Sequence, residues 1–250
     1  MALTTCTFLY QNLISGGGMI TATSERVGFE KKYLCDKQYS TTWRSSTAGV
    51  QNDLLVDFST PVTINCIALG NHNLKGEVTH LQLHYGTTLA CADGFIDLLS
   101  DLTTSKFLKD FTSVTKRYWK LEMAGATLIT FFEIGQFWLG VFSEVRMPRV
   151  PIANYDPDYV IYEKRTSGGQ LHSYELYEQI NWPLVWGHYN ITNHSKLLAL
   201  WKYVKRSKPF WIFLDPANSE TLNFVFMKSF NFSRDEGETR PGSLTVESAK

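Results

Sequence analysis

The segment HLQLHY, His80–Tyr85, puts an apolar residue at every second position. Leu81, Leu83 and Tyr85 alternate with His80, Gln82 and His84. A period of two is the spacing of a strand with one face buried, and a helix would not keep these apolar side chains on one side. VTINCIALG, Val62–Gly70, repeats the pattern, with Val62, Ile64, Cys66 and Ala68 on one face and Thr63, Asn65, Ile67 and Leu69 on the other. DLLVDF, ending at the turn signal STP (Ser59–Pro61), reads as a separate strand before it. KRYWKLEM (Lys116–Met123) and FFEIGQFWLGVF (Phe131–Phe142) supply more. No stretch here holds a long period of 3.6, so the region predicts a mainly β fold, a sandwich.

The sharpest break in composition is MPRVPIANYDPDY, Met147–Tyr159, with Pro148, Pro151 and Pro157. Proline lacks a ladder donor and fixes φ. This predicts a sandwich domain over 1–146, a proline-rich linker over 147–160, and a second β domain over 161–250. The second domain carries one helix signal, NHSKLLALWKYVKRSK. Leu197, Leu198, Leu200, Trp201 and Val204 form one apolar stripe, Asn193 or Ser195 can cap the start, and Pro209 follows the basic last turn. The expected helix spans 194–208. LHSYELYEQI, PFWIFLD, TLNFVFMKSF and GSLTVES read as strands, and DPANSE (Asp215–Glu220) as a hairpin turn between two of them.

Lys and Arg together number 24, as do Asp and Glu, so the net charge is zero and the long-range attraction that nucleic-acid binders use is missing. An apolar share of 44% argues against extensive disorder. The most apolar run, Ala126–Phe142, is shorter than the roughly 20 residues of a membrane helix and carries Glu133 and Gln136, which fits two buried strands. The N-terminus has no basic segment ahead of an apolar core and does not read as a secretory signal. Cys6, Cys35, Cys66 and Cys91 are scattered, with no CxxC, and are expected as free, mostly packed thiols.

No pattern of nucleophile, phosphate loop or metalloprotease occurs. His80 and His84 are four apart, but on a strand with no third ligand at a fixed spacing, so no metal site is expected. His72, between Asn71 and Asn73, reads as a turn residue bonded to backbone. Glu175 and Glu178 fall on opposite faces of their strand and make no acid/base pair. SGGQ, Ser167–Gln170, contains the tripeptide of peptide-chain release factors, but without a basic RNA surface it reads as a glycine hinge. The basic helix end, Lys205 to Lys208, reads as a solvated face rather than a DNA contact. Trp182, Trp186, Trp201, Phe210 and Trp211 read as core, with several at subunit contacts. Expected, then, are no catalytic residue, no cofactor and no metal ligand.

Two resemblances add to this reading. Asp36 with STTWRS (Ser40–Ser45), then LLVDF, VTINCIALGNHN, KRYWKLEM and EIGQFWLG follow in the order of the discoidin, or galactose-binding-like, sandwich. In that family the Trp-Arg-Ser segment precedes the first long core strand, an RY strand pairs centrally and an IGQ-type strand closes the sheet. The resemblance covers roughly Gln11–Val141. Its sugar-binding members use exposed loops with Arg, His and aromatics, but no sugar-site residue is carried over. Tyr162–Lys250, through its GG strand start, Trp-rich strand, amphipathic helix and PFW…DP run, resembles the β-plus-helix module of distal-tail and minor-tail proteins of long-tailed bacteriophages. That resemblance implies a structural, non-enzymatic virion protein at the tail tip, present in the host cytoplasm during assembly. It would form a hexameric or trimeric ring of its own copies around the DNA channel. Its partners would be tail-tube and baseplate proteins, with DNA only passing through and no membrane insertion. The alternative is a carbohydrate-binding module for host-surface glycans, contacting them through loops that bear Trp43, Arg44, His72 and Asn73.

Overall fold

A computed structural model describes residues 5–47, 51–125, 130–146, 148, 156–165, 171–189, 191–214, 221–232 and 240–249. It is mainly β, and it divides into two compact units. Unit 1 comprises 1–144 with Phe210–Phe224; unit 2 comprises Val145–Pro209 with Val225–Ala249. The 161–250 segment expected as one domain is therefore split, because Phe210–Phe224 packs with the first unit.

Unit 1 is built on an antiparallel sheet. Its strands are β2 (Met19–Ala22), β3 (Trp43–Arg44), β4 (Asn52–His72), β5 (His80–Gly86), β6 (Gly94–Asp97), β7 (Lys106–Ala124) and β8 (Glu133–Gly140). They run in the order β3-β8-β4-β7-β5-β6, with β2 beside β4. The two strands expected on either side of STP are one strand, β4. Ser59 takes a left-handed φ of 63° and Pro61 falls where the register against β7 slips, between Asp57 and Val62. A bulge absorbs both residues without ending the ladder. A second slip separates Ile64 from Cys66, and it overturns the expected faces. Leu54, Val56, Phe58 and Ile64 share a core cluster with Ile67 and Leu69, while Cys66 and Ala68 are buried outside it. That cluster also takes Leu81, Leu83, Trp119, Leu121, Phe137 and Leu139. On β5 the alternation is as expected, with Leu81 and Leu83 buried and His80, Gln82 and His84 half-exposed on the other face.

β1 (Thr5–Leu9) pairs with β12 (Phe210–Phe213), placing Leu9 opposite Trp211. Tyr39, Trp138, Trp211 and Phe224 form an aromatic cluster, with ring centroids 4.9 Å apart for Trp211–Phe224 and 5.5 Å for Trp138–Phe224. All four cysteines are free thiols. Burial pushes Cys6 and Cys35 up to about 12 and Cys91 up to about 11, so none is a ready nucleophile.

Unit 2 holds β10 (Asp156–Arg165), β11 (Leu171–Tyr189), a helix (Ile191–Val204) and β14 (Arg240–Ser248), together with most of β13 (Leu222–Phe232). β11 pairs with β10 on one side and β14 on the other. Pro157, assigned to the linker by sequence, lies in β10 opposite Ile180, where a strand with one described neighbour tolerates a missing donor. The helix begins and ends earlier than expected. Asn193 and Ser195 lie inside it, with the Ser195 hydroxyl donating back to the Ile191 carbonyl. It stops at Val204 because Lys205 turns left-handed, φ 49°, and its N–H bonds the Trp201 carbonyl. Leu197, Leu200 and Val204 are buried as the stripe requires, and Lys205 and Arg206 are exposed. Trp186, Phe210 and Trp211 are core, whereas Trp182 and Trp201 are half-buried. SGGQ (Ser167–Gln170) and DPANSE (Asp215–Glu220) lie outside the described residues, and so do the side chains of Glu175 and Glu178. Among the described residues no helix is long and apolar enough to cross a membrane.

Candidate functional site

Unit 1 gathers chemistry-bearing side chains at two places on its surface. One is a rim beside β3. Arg44 pairs opposite Glu133, and the two side chains close a bidentate ion pair, Nε–Oε2 3.1 Å and Nη2–Oε1 3.2 Å. A tight turn at Arg26–Phe29, with Gly28 at φ 85°, is tied to β3 by Arg26 N–H to the Arg44 carbonyl and Arg44 N–H to the Phe29 carbonyl. The turn lays Phe29 on the Arg44 guanidinium, 3.9 Å from ring centroid to Cζ, and Phe131 lies 4.9 Å away. The Arg26 guanidinium approaches Phe131 at 5.8 Å. The rim thus offers two aromatic rings, two guanidinium groups and one carboxylate.

Of the four loop residues expected for glycan contact, Arg44 alone has its charged group in this rim. Trp43 and His72 are buried. His72 Nδ1 accepts from the Leu74 N–H, which is the backbone role expected of it. Both ends of the Asn73 amide serve the backbone: Nδ2 donates to the Phe131 carbonyl and Oδ1 accepts from the Glu133 N–H. The sequence reading missed Arg26, Phe29 and Phe131. The RVGF turn carries a local glycine signal, but nothing in the chain announces that Phe131 arrives beside it.

The other place is the solvent face of β4, β7, β5 and β6. Register fixes its rows. Asp53 lies opposite Glu122, Glu122 opposite Gln82, and Gln82 opposite Asp97. In the next row Lys120 lies opposite His84, and His84 opposite Phe95, whose side chain is exposed. His80 and His84 lean over Gln82 toward Glu122. His80 Nε2 is 3.1 Å from Glu122 Oε1, and His84 Nε2 is 3.8 Å from Oε2. The third ligand-capable group, absent from the local sequence pattern, comes from β7. Lys120 Nζ donates to Glu122 Oε2 at 2.7 Å and lies 3.7 Å from Asp53 Oδ2. Burial would raise the Glu122 carboxyl, but the Lys120 hydrogen bond and charge, with the two imidazoles, hold it below the usual range. Burial pushes the His84 imidazole down, and Lys120 and His80 add to this against Glu122 and Asp53.

No family model and no curated protein matches the chain. Among solved structures, similarity falls on about half of it. The chitosan-binding module 1 from a chitosanase/glucanase of Paenibacillus sp. IK-5 shares 18% identity at a TM-score of 0.44, over 53% of this chain and 100% of that one. The Clostridium perfringens module CpGH89CBM32-5, in complex with GalNAc-β-1,3-galactose, shares 19% identity at a TM-score of 0.42, over 52% and 100%. A GH29 fucosidase of Ruminococcus gnavus, in complex with fucose, shares 14% at a TM-score of 0.43, and the chain spans only 27% of its length.

Proposed function

We propose that unit 1 is a carbohydrate-binding module that holds its ligand without turning it over, through the rim of Arg26, Phe29, Arg44, Phe131 and Glu133. The observation that carries this reading is the Arg44 guanidinium with Phe29 at 3.9 Å and Phe131 at 4.9 Å, paired to Glu133 at the surface. Aromatic rings offer apolar faces to the C–H face of a sugar ring, and fixed guanidinium and carboxylate groups offer donors and acceptors to its hydroxyls. A guanidinium has five N–H donors, and the hydrogen bond to Glu133 engages one on Nη2. The test is retardation of the full chain in native gels cast with soluble polysaccharides, including chitosan, galactan and pectin. Arg26→Ala and Phe131→Ala weaken retardation at least tenfold at unchanged melting temperature, and no reducing ends appear on incubation. Migration unaffected by every polymer, or variants retarded like the parent, overturns the reading.

A second reading concerns unit 2, as a module that assembles the chain at a phage tail tip. The feature that favours it is β10, which pairs only with β11 among the described residues and so offers an edge to another copy. Light scattering that returns a closed oligomer supports it, and a monomer across the micromolar range removes it.

A further inference from the structure

We propose that His80, His84 and Glu122 form a binding site for a zinc-type divalent cation on the solvent face of the β5–β7 pair. The proposal is independent of glycan binding at the rim. Three potential ligand atoms, one from each residue, lie within 4.8 Å of one another. Tetrahedral zinc with ligands at about 2.0–2.1 Å separates them by ~3.3 Å. His80 Nε2 and Glu122 Oε1, 3.1 Å apart, already sit at that spacing, and His84, whose Nε2 lies 3.8 Å from the other oxygen of the same carboxylate, Oε2, has to swing inward to join them.

A second observation points to an ion rather than to an ion pair alone. His80 Nε2 and His84 Nε2 are both closed off from solvent and make no hydrogen bond. The His80–Glu122 approach is short but falls outside hydrogen-bond geometry. Two imidazole nitrogens turned inward with no donor or acceptor to satisfy them are what a metal completes. Two His and one carboxylate are a zinc ligand set that leaves the fourth position to water.

Lys120 is the group that could oppose this. Its ammonium bonds Glu122 Oε2, leaving Oε1 on the side of His80, and Asp53 stands 3.7 Å behind it to offset its charge. The lysine therefore fixes the carboxylate as a one-oxygen ligand. A fixed outer partner of this kind is usual around metal sites.

The experiment uses the full chain after chelator treatment, titrated with zinc by calorimetry and with cobalt(II) by visible absorption. One equivalent binds, cobalt gives the intense visible bands of tetrahedral coordination, and zinc raises the melting temperature. His80→Ala, His84→Ala and Glu122→Gln each weaken binding at least tenfold, and the variant with both histidines replaced shows no tetrahedral bands. Melting curves without metal establish that each variant is folded. Three results overturn the proposal: no uptake by the parent chain, a single variant binding like the parent, or retention of the bands by the double variant.

Discussion

His72 is a buried base whose neighbours have no use for a second proton. Its Nδ1 accepts from the Leu74 N–H at 3.3 Å, so the proton sits on Nε2, which is buried without a partner, and the ring stands edge-on to Phe107 at 5.9 Å. Burial pushes its pKa down to about 4, against about 6.5 in an unfolded chain. The folded pKa is the lower one. As pH falls below 6.5 the unfolded state therefore takes the proton first, and stability is lost until the folded group titrates. The full effect, complete near pH 4, is about 3 kcal/mol. Urea unfolding of parent and His72→Gln, which keeps an acceptor for Leu74, measures it. The parent loses more stability than the variant between pH 7.5 and pH 5, and parallel losses in the two would remove the argument. Arg44 shows a different limit at this scale. Its identity as a surface arginine was legible in the sequence, but its two aromatic neighbours were not, because Phe131 reaches it only through the pairing of β3 with β8.

At the scale of elements, legibility follows the range of the interactions. The alternation of β5 needs only its own residues, so the sequence shows both its faces. The faces of β4 depend on slips against β7, and the local pattern of Val62–Leu69 cannot announce them. Likewise His80 and His84 acquire Glu122 only through the register of β5 on β7. Gly70 on β4 tests how tightly such pairing is packed. A Cβ there would strike the Trp211 indole and the Tyr39 ring. Neither ring can yield freely: Trp211 is buried, and Tyr39 accepts the Asn71 N–H through its hydroxyl and the Asn71 amide through its carbonyl. Gly70→Ala costs about 1–3 kcal/mol, the usual range for overpacking a filled core. In a denaturant series, adding Trp211→Phe costs less in the Gly70→Ala background than in the parent, since the smaller ring makes room. An unmoved midpoint for Gly70→Ala, or strictly additive effects, contradicts this packing.

For the whole molecule, the order of the chain and the membership of its units disagree. The chain leaves unit 1 after Glu144, but it comes back for Phe210–Phe224 before leaving again. Phe210, Trp211, Ile212, Leu214 and Leu222 of that return are nearly inaccessible to water. Trp211 and Phe224 also complete the aromatic cluster with Tyr39 and Trp138. Removing such a segment uncovers several large apolar side chains, each worth roughly 1.5–3 kcal/mol when buried, against a domain stability of about 5–15 kcal/mol. The fragment 1–146, a complete domain by sequence, should therefore lack a cooperative melt or unfold well below the full chain, and bind a dye that reports exposed apolar surface. A fragment that melts with the full chain's first transition, dye-free, would show that unit 1 closes without its return strand. By the same account, a glycan assay on 1–146 tests stability rather than the rim. Only the full chain, or a fragment that includes Phe210–Phe224, presents Arg44 and Phe131 on an intact sandwich.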